Sequence, residues 1–233
     1  MRRDTRAVIF DLDDTLYPYR RFKLSGFLAV ARHLSDRAGL DVRLGFTALA
    51  TASRGPSRGR ELQACLAQHD LPAEWLPELV DVLRYHQPRL TLPSASRRAL
   101  RTLREDGWRL GVLTNGPRSI QNAKVDALGI APFVDVIGYA SVIGTGRGKP
   151  DPDAFAWMAR HLSVPVPRTV FVGDDERCDV AGAAAAGMVP VRCTAWIAIA
   201  DGPTAARTVV DRLTRLPAIA PSLIEEAPNR HAA

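Results

Sequence analysis

The sequence predicts an α/β protein: a doubly wound parallel sheet, a Rossmann-like core, carrying one inserted block of helices. Three observations support this. Short runs that are apolar throughout, rather than alternating, recur along the chain and read as strands buried on both faces. Helical patterns lie between them, giving the strand–helix rhythm of a parallel sheet. One stretch, Tyr17 to Leu92, breaks that rhythm and holds helix-like segments without a convincing strand.

The first run is Ala7-Val8-Ile9-Phe10, ending in Asp11. Within the inserted stretch, Phe22 to Ala38, Arg60 to Gln68 and Leu76 to Tyr85 have helical patterns, and Thr51 to Gly59 is a loop by composition. Ser94 can cap a helix running to Glu105 and stopping near Gly107. A strand follows at Leu110 to Leu113, then a helix opened by Pro117 and ended by Gly129 after Leu128. Further strands are expected at Val134 to Ile137, Thr169 to Val172 and Met188 to Val191, with helices at Asp153 to Leu162 and Val180 to Ala186. From Pro217 the chain turns rich in proline, alanine and charge and is expected to fray. The expected division is a core of residues 1–16 and 93–216, a helical domain of 17–92, and a tail of 217–233.

A chain of 233 residues suits one such core plus a modest insertion. Its net charge of +6 is almost wholly arginine, with lysine only at Lys23, Lys124 and Lys149. The arginines are scattered and not interleaved with aromatics, so a basic surface attracting small anions is expected rather than nucleic-acid binding. Cys65, Cys178 and Cys193 show neither a CxxC pair nor zinc-ligand spacing, which points to a reducing, cytoplasmic setting. The N-terminus does not read as a secretory signal, and no stretch is apolar enough to span a bilayer, so no membrane partner is expected. Oligomeric state is not legible.

The chemistry is concentrated at the ends of strands, where open parallel sheets bind ligands. Asp11-Leu12-Asp13-Asp14-Thr15 follows the first run directly. Asp11 and Asp13, two residues apart on an extended tail, can project into one site. Carboxylates packed so closely repel one another unless a cation intervenes, and magnesium is the natural hard divalent candidate. Thr114-Asn115-Gly116 ends a second strand before a helix and offers a hydroxyl and free N–H groups to phosphate oxygens. In a chain that otherwise uses arginine, Lys149 of Gly148-Lys149-Pro150-Asp151-Pro152 suggests a need for a compact ammonium to offset phosphate and carboxylate charge. Gly173-Asp174-Asp175 ends another strand. Asp174 can complete a metal shell, while Asp175 and Asp179 can bind through water or orient Lys149. Each feature alone is also a common solvated turn; four of them in one chain, each supplying a different part of a phosphate-transfer site, argue for one.

Together Asp11-x-Asp13-x-Thr15, Thr114, Lys149 and Gly173-Asp174-Asp175 with Asp179 resemble the motifs of the haloacid-dehalogenase-like (HAD) superfamily of hydrolases. The inserted stretch is where that family carries a helical cap of the first, C1 type. Asp-Leu-Asp-Asp-Thr-Leu-Tyr, Thr-Asn-Gly and Gly-Lys-Pro-Asp-Pro are similar to a branch containing nucleotidases and sugar-phosphate phosphatases. Cys178 departs from that branch, which often has Asn there.

The resemblance implies a magnesium-dependent phosphatase of small phosphorylated metabolites. In it Asp11 is the nucleophile and Asp13 the general acid/base, and Thr114, Asn115 and Lys149 hold the phosphoryl group. The metal lies between Asp11, the Asp13 carbonyl and Asp174. A phosphomutase uses the same core residues, and a non-catalytic regulator could keep the fold, although it would have little reason to keep these residues together. A dehalogenase has no alkoxide to protonate and no use for Asp13. Tyr17, Arg20 and Arg21, just after the first motif, are the expected substrate contacts.

Overall fold

The computed structural model describes residues 5–197 and 203–225. Strand β1 (Ala7–Phe10) is followed by helices α1 (Arg20–Ala38), α2 (Val42–Ala52), α3 (Glu61–Gln68) and α4 (Leu76–Tyr85). Next come α5 (Ser94–Glu105), β2 (Arg109–Thr114), α6 (Arg118–Leu128), β3 (Val136–Tyr139), α7 (Pro152–Leu162) and β4 (Thr169–Gly173). A π-helical turn, Glu176–Ala181, leads into α8 (Gly182–Ala185), then β5 (Val189–Cys193), β6 (Thr208–Val210) and α9 (Leu216–Glu225). The chain divides into two compact units, Met1–Pro18 with Thr91–Ala233, and Tyr19–Leu90.

The first unit is the doubly wound sheet that the apolar runs predict. Its strand order is β3-β2-β1-β4-β5-β6 and every pairing is parallel. β1 is central: Ala7 pairs with Arg109 on one side and with Thr169 on the other. All four of its residues are buried, as a strand covered on both faces must be. Ala7, Ile9, Leu113 and Phe171 pack against Ala154, Phe155, Met158 and Leu162 of α7. The pleat turns Val8, Phe10 and Val112 to the opposite face. Helices α5 and α9 lie against β2 and β4. Met158 seats over two strand glycines: a Cβ at Gly111 or Gly138 would lie 2.6 or 2.7 Å from its side chain.

The second unit has its own core. Phe27, Val30 and Leu34 of α1 meet Leu49 of α2, Leu62 and Leu66 of α3 and Leu79 of α4, all buried. Lys23 pairs with the buried Glu61 at 2.5 Å. Helix α2 was not foreseen. Asp41 supplies a signal for it, since its side chain accepts from the N–H groups of Arg43 and Leu44 at the helix start.

Several expectations are corrected. β3 starts two residues late because the Asp135 carboxylate takes the Leu110 N–H at 2.8 Å, so the regular ladder begins beyond it. Ser94 is the first helical residue rather than the cap; Pro93 holds the cap position, with no side-chain hydrogen bond. Residues 217–225 do not fray. Pro217 sits at the second residue of α9, where its missing N–H costs nothing, and Leu216, Ala220 and Leu223 bury one face at i, i+4, i+7. The remainder of that expected tail, 226–233, lies outside the described residues. β6 was also missed: three residues are too short a run to register as a strand. Among the described residues no helix is long and apolar enough to cross a membrane.

Candidate active site

The turn after β1 explains why Asp11 and Asp13 have different surroundings. The N–H of Asp11 donates to the Val172 carbonyl at 2.9 Å, carrying the β1–β4 pairing one residue past the strand. Asp14 adopts the left-handed region with φ 55°, which aspartate tolerates better than most residues. The Leu16 N–H then donates to the Leu12 carbonyl at 3.0 Å, and Asp13 bridges to Tyr17, so the chain doubles back at once.

Asp11 is buried at 6% exposure and faces the equally buried Lys149. The lysine ammonium donates to Asp11 Oδ1 and to the Leu113 carbonyl at 3.0 Å, and pairs with Asp179 Oδ1 at 2.7 Å. Burial would lower the lysine's pKa, but Asp11 and Asp179 outweigh it and hold the ammonium well above its ordinary value. The Asp11 carboxyl moves up instead, chiefly through burial and with help from Asp179 and Asp13, despite Lys149. Asp174, at the end of β4, is pushed up to about 7 by burial and by the charges of Asp179 and Asp14. Thr15 Oγ1 reaches it at 3.4 Å, a weak contact.

Asp11, Asp174 and Asp179 each offer a carboxylate oxygen, all within 4.8 Å of one another. Three crowded acids against one ammonium leave an excess of negative charge in a buried, oxygen-only setting. Such a donor set suits a hard divalent cation. Asp179, expected outside this shell, lies within the cluster, because Asp175 holds it there: the Asp175 N–H donates to Asp179 Oδ2 at 3.1 Å. Asp175 itself is exposed, and its carboxylate caps the π-helical turn through the Cys178 N–H at 2.6 Å, so its side chain does not orient Lys149.

Thr114, the last residue of β2, is buried beside β1. Asn115 does more than its sequence position suggested. Its side chain accepts from the Lys149 N–H at 2.8 Å and donates to the Lys149 carbonyl at 3.0 Å, fixing the backbone that presents the buried ammonium. Gly116 has φ 118°, and a Cβ there would lie 3.0 Å from Gln121 Nε2. Gly116→Ala is therefore expected to cost roughly 1–3 kcal/mol of stability from strain alone. Urea unfolding of the variant checks this, and an unchanged midpoint would contradict it.

The Asp13 carboxylate meets other partners entirely. Its Oδ1 accepts from the Tyr17 hydroxyl at 2.6 Å; its Oδ2 accepts from Lys124 Nζ at 2.7 Å and Gln121 Nε2 at 3.2 Å. Tyr17, expected as a substrate contact, is fully buried and serves Asp13 instead, because the tight return of the chain folds it back onto that residue. Arg20 and Arg21 are exposed at the start of α1, in the other unit. Trp196 donates its indole N–H to the Thr15 carbonyl at 2.9 Å and so braces the first motif. Neither Lys124 nor Gln121 was singled out from sequence for this site. The signal available was that both lie on one face of α6, three residues apart, in a chain with three lysines.

Comparison with known proteins agrees with this geometry. A family model described as "Hydrolase: haloacid dehalogenase-like hydrolase" matches residues 5–187. The chain is 32% identical over 198 residues to the glyceraldehyde 3-phosphate phosphatase of Methanopyrus kandleri, covering 80% of this chain and 83% of that one. It is 33% identical over 201 residues to the phosphoglycolate phosphatase of Rhodospirillum rubrum, covering 80% and 78%. Its fold is similar to that of an HAD phosphatase from Thermococcus onnurineus, with TM-score 0.61, 23% identity and coverage of 92% and 97%.

Proposed function

The chain belongs to the haloacid dehalogenase-like hydrolase family, and on that premise we propose that it is a magnesium-dependent phosphatase of small phosphate monoesters. One observation carries the reading beyond family membership: two carboxylates two residues apart have been given different partners. Asp11 sits against a buried ammonium and two further acids, whereas Asp13 is held by a phenol, an amide and a second ammonium. Neighbouring acids in separate environments take separate roles in acid–base chemistry. A dehalogenase would have no task for the second.

In this reading Asp11 attacks phosphorus as the ester oxygen leaves, giving an aspartyl-phosphate. Asp13 delivers a proton to the leaving oxygen, then takes one from the water that hydrolyses the intermediate. Lys149 neutralises charge on Asp11 and on the arriving phosphoryl oxygens, which the Thr114 hydroxyl and the Asn115 N–H would hold. Asp11 and Asp174, with the Asp13 carbonyl and the neighbouring Asp179, would hold magnesium. Bound there, it would offset the negative charge of phosphate and acids. The named activities of the relatives support a small phosphorylated metabolite as substrate, and the basic surface favours anions of that kind.

The test is phosphate release from a panel of phosphorylated metabolites, with magnesium and with EDTA. Release that needs magnesium and is concentrated on one class of ester is expected. Undiminished release in EDTA would remove the metal from the reading, and transfer of phosphate between hydroxyls without release would replace it with a mutase.

A further inference from the structure

We infer that Lys124, with Gln121 and Tyr17, forms a positioning assembly for the acid/base carboxylate and selects which oxygen of Asp13 exchanges the proton. The inference rests on the phosphatase reading and adds a role for Lys124 and Gln121, two residues outside the family motifs that carry it, and for Tyr17 at the end of the first.

Lys124 is buried, as lysine seldom is without a partner, and its ammonium lies 2.7 Å from Asp13 Oδ2. Gln121, one helical turn earlier on α6, is buried too. Its Nε2 donates both to Asp13 Oδ2 at 3.2 Å and to the Asn115 carbonyl. The loop proposed to bind phosphate and the carboxylate proposed to protonate the leaving group are thereby tied through one amide. Helix α6 begins directly after that loop, so the two groups are referred to the same rigid element.

The two oxygens of Asp13 are not equivalent. Oδ2 faces an ammonium and an amide N–H, both of which only donate. A proton on Oδ2 would displace one of them. Oδ1 faces the Tyr17 hydroxyl at 2.6 Å, which can donate to an ionised carboxylate or accept from a protonated one. Oδ1 meets one donor where Oδ2 meets two, so a proton bound for the leaving oxygen can occupy its second lone pair while Tyr17 keeps its hydrogen bond.

In the first half-reaction an Asp11 oxygen bonds to phosphorus, the ester O–P bond breaks, and the proton on Asp13 Oδ1 passes to the departing oxygen. In the second, a water oxygen bonds to phosphorus, the bond from Asp11 breaks, and the water's proton goes to Oδ1. Lys124 acts through Asp13 Oδ2, the oxygen that does not exchange the proton, which makes it a positioning residue.

The experiment compares kcat/KM for two monoesters, an alkyl phosphate, whose leaving oxygen needs a proton, and p-nitrophenyl phosphate, whose leaving group does not. Lys124→Met is expected to lose about 10²-fold on the alkyl ester and less than about tenfold on the nitrophenyl ester, the low end of what acid catalysis contributes. Tyr17→Phe, which removes one hydroxyl and leaves the packing, should show the same asymmetry at about tenfold on the alkyl ester. Circular dichroism and thermal melts establish that both variants are folded. If Lys124→Met does not fold, Tyr17→Phe decides. Equal losses on the two esters, or no loss, would overturn this inference while leaving the phosphatase reading intact. Wild-type protein inert toward both esters would overturn the phosphatase reading and this inference with it.

Discussion

Replacing Asp11 with Asn is expected to reduce turnover by roughly 10⁴-fold or more, the scale of losing a covalent nucleophile. It should leave stability within about 1 kcal/mol of wild type in metal-free buffer, well short of the cost of breaking a buried pair. The two halves of this expectation have one cause. A carboxamide has no nucleophilic oxygen anion, yet it has the shape of the carboxylate and can still accept from Lys149. The charge it removes is one that burial disfavours and that Asp179 and Asp13 repel. Steady-state kinetics and urea unfolding on the same preparation measure both. Activity within a hundredfold of wild type would exclude Asp11 as nucleophile. A large fall in stability would mean that the ionised form of Asp11 is structural.

Lys149→Met should do the opposite to stability, costing about 3–5 kcal/mol besides abolishing activity. The ammonium separates Asp11 from Asp179, and methionine would leave two buried carboxylates facing each other with nothing between them. The ammonium's pKa is raised above its ordinary 10.5 in the folded protein, so its contribution is complete at every pH below that value and is lost only as alkali takes its proton. Chemical denaturation at neutral pH therefore reads the full effect. Added magnesium should recover part of it, because a cation binding the folded acids shifts the equilibrium by mass action. An unchanged denaturation midpoint would mean that the pair contributes nothing.

Much of this could be read in the chain because its signals are local. Ala7 to Phe10 and Thr169 to Val172 are apolar without interruption, and only a strand covered on both faces asks for that. Asp11, Thr114 and Asp174 stand at or just beyond strand ends, so placing the strands placed them; Lys149 lies in the loop before α7, ten residues past β3. The partners of Asp13 were harder. Lys124 is 111 residues from Asp13 and Gln121 is 108. Nothing in either segment announces the other. The rarity of lysine that drew attention to Lys149 applied equally to Lys124, but inside a helical pattern, away from the glycine, prolines and aspartate beside Lys149, it had no chemical context. Tyr17 was placed in the site but aimed at substrate, since a sequence does not show that the chain folds back within four residues. Asp175 and Asp179 looked alike on paper; a helical turn separates a solvent-facing cap from a buried acid.

The position of β1 has a consequence for how the protein is made. Its two hydrogen-bonded neighbours are β2 and β4, so Ala7 must wait for Arg109 and then for Thr169. During synthesis the strand leading into Asp11 emerges before either partner, while the four helices of Tyr19–Leu90 already hold every residue of their own core. Pairings between residues so distant in the chain close slowly, and an apolar strand without neighbours is the segment most exposed to aggregation in the interval. The cluster of Asp11, Asp174 and Asp179 can therefore assemble only after β4 and the π-helical turn behind it have left the ribosome.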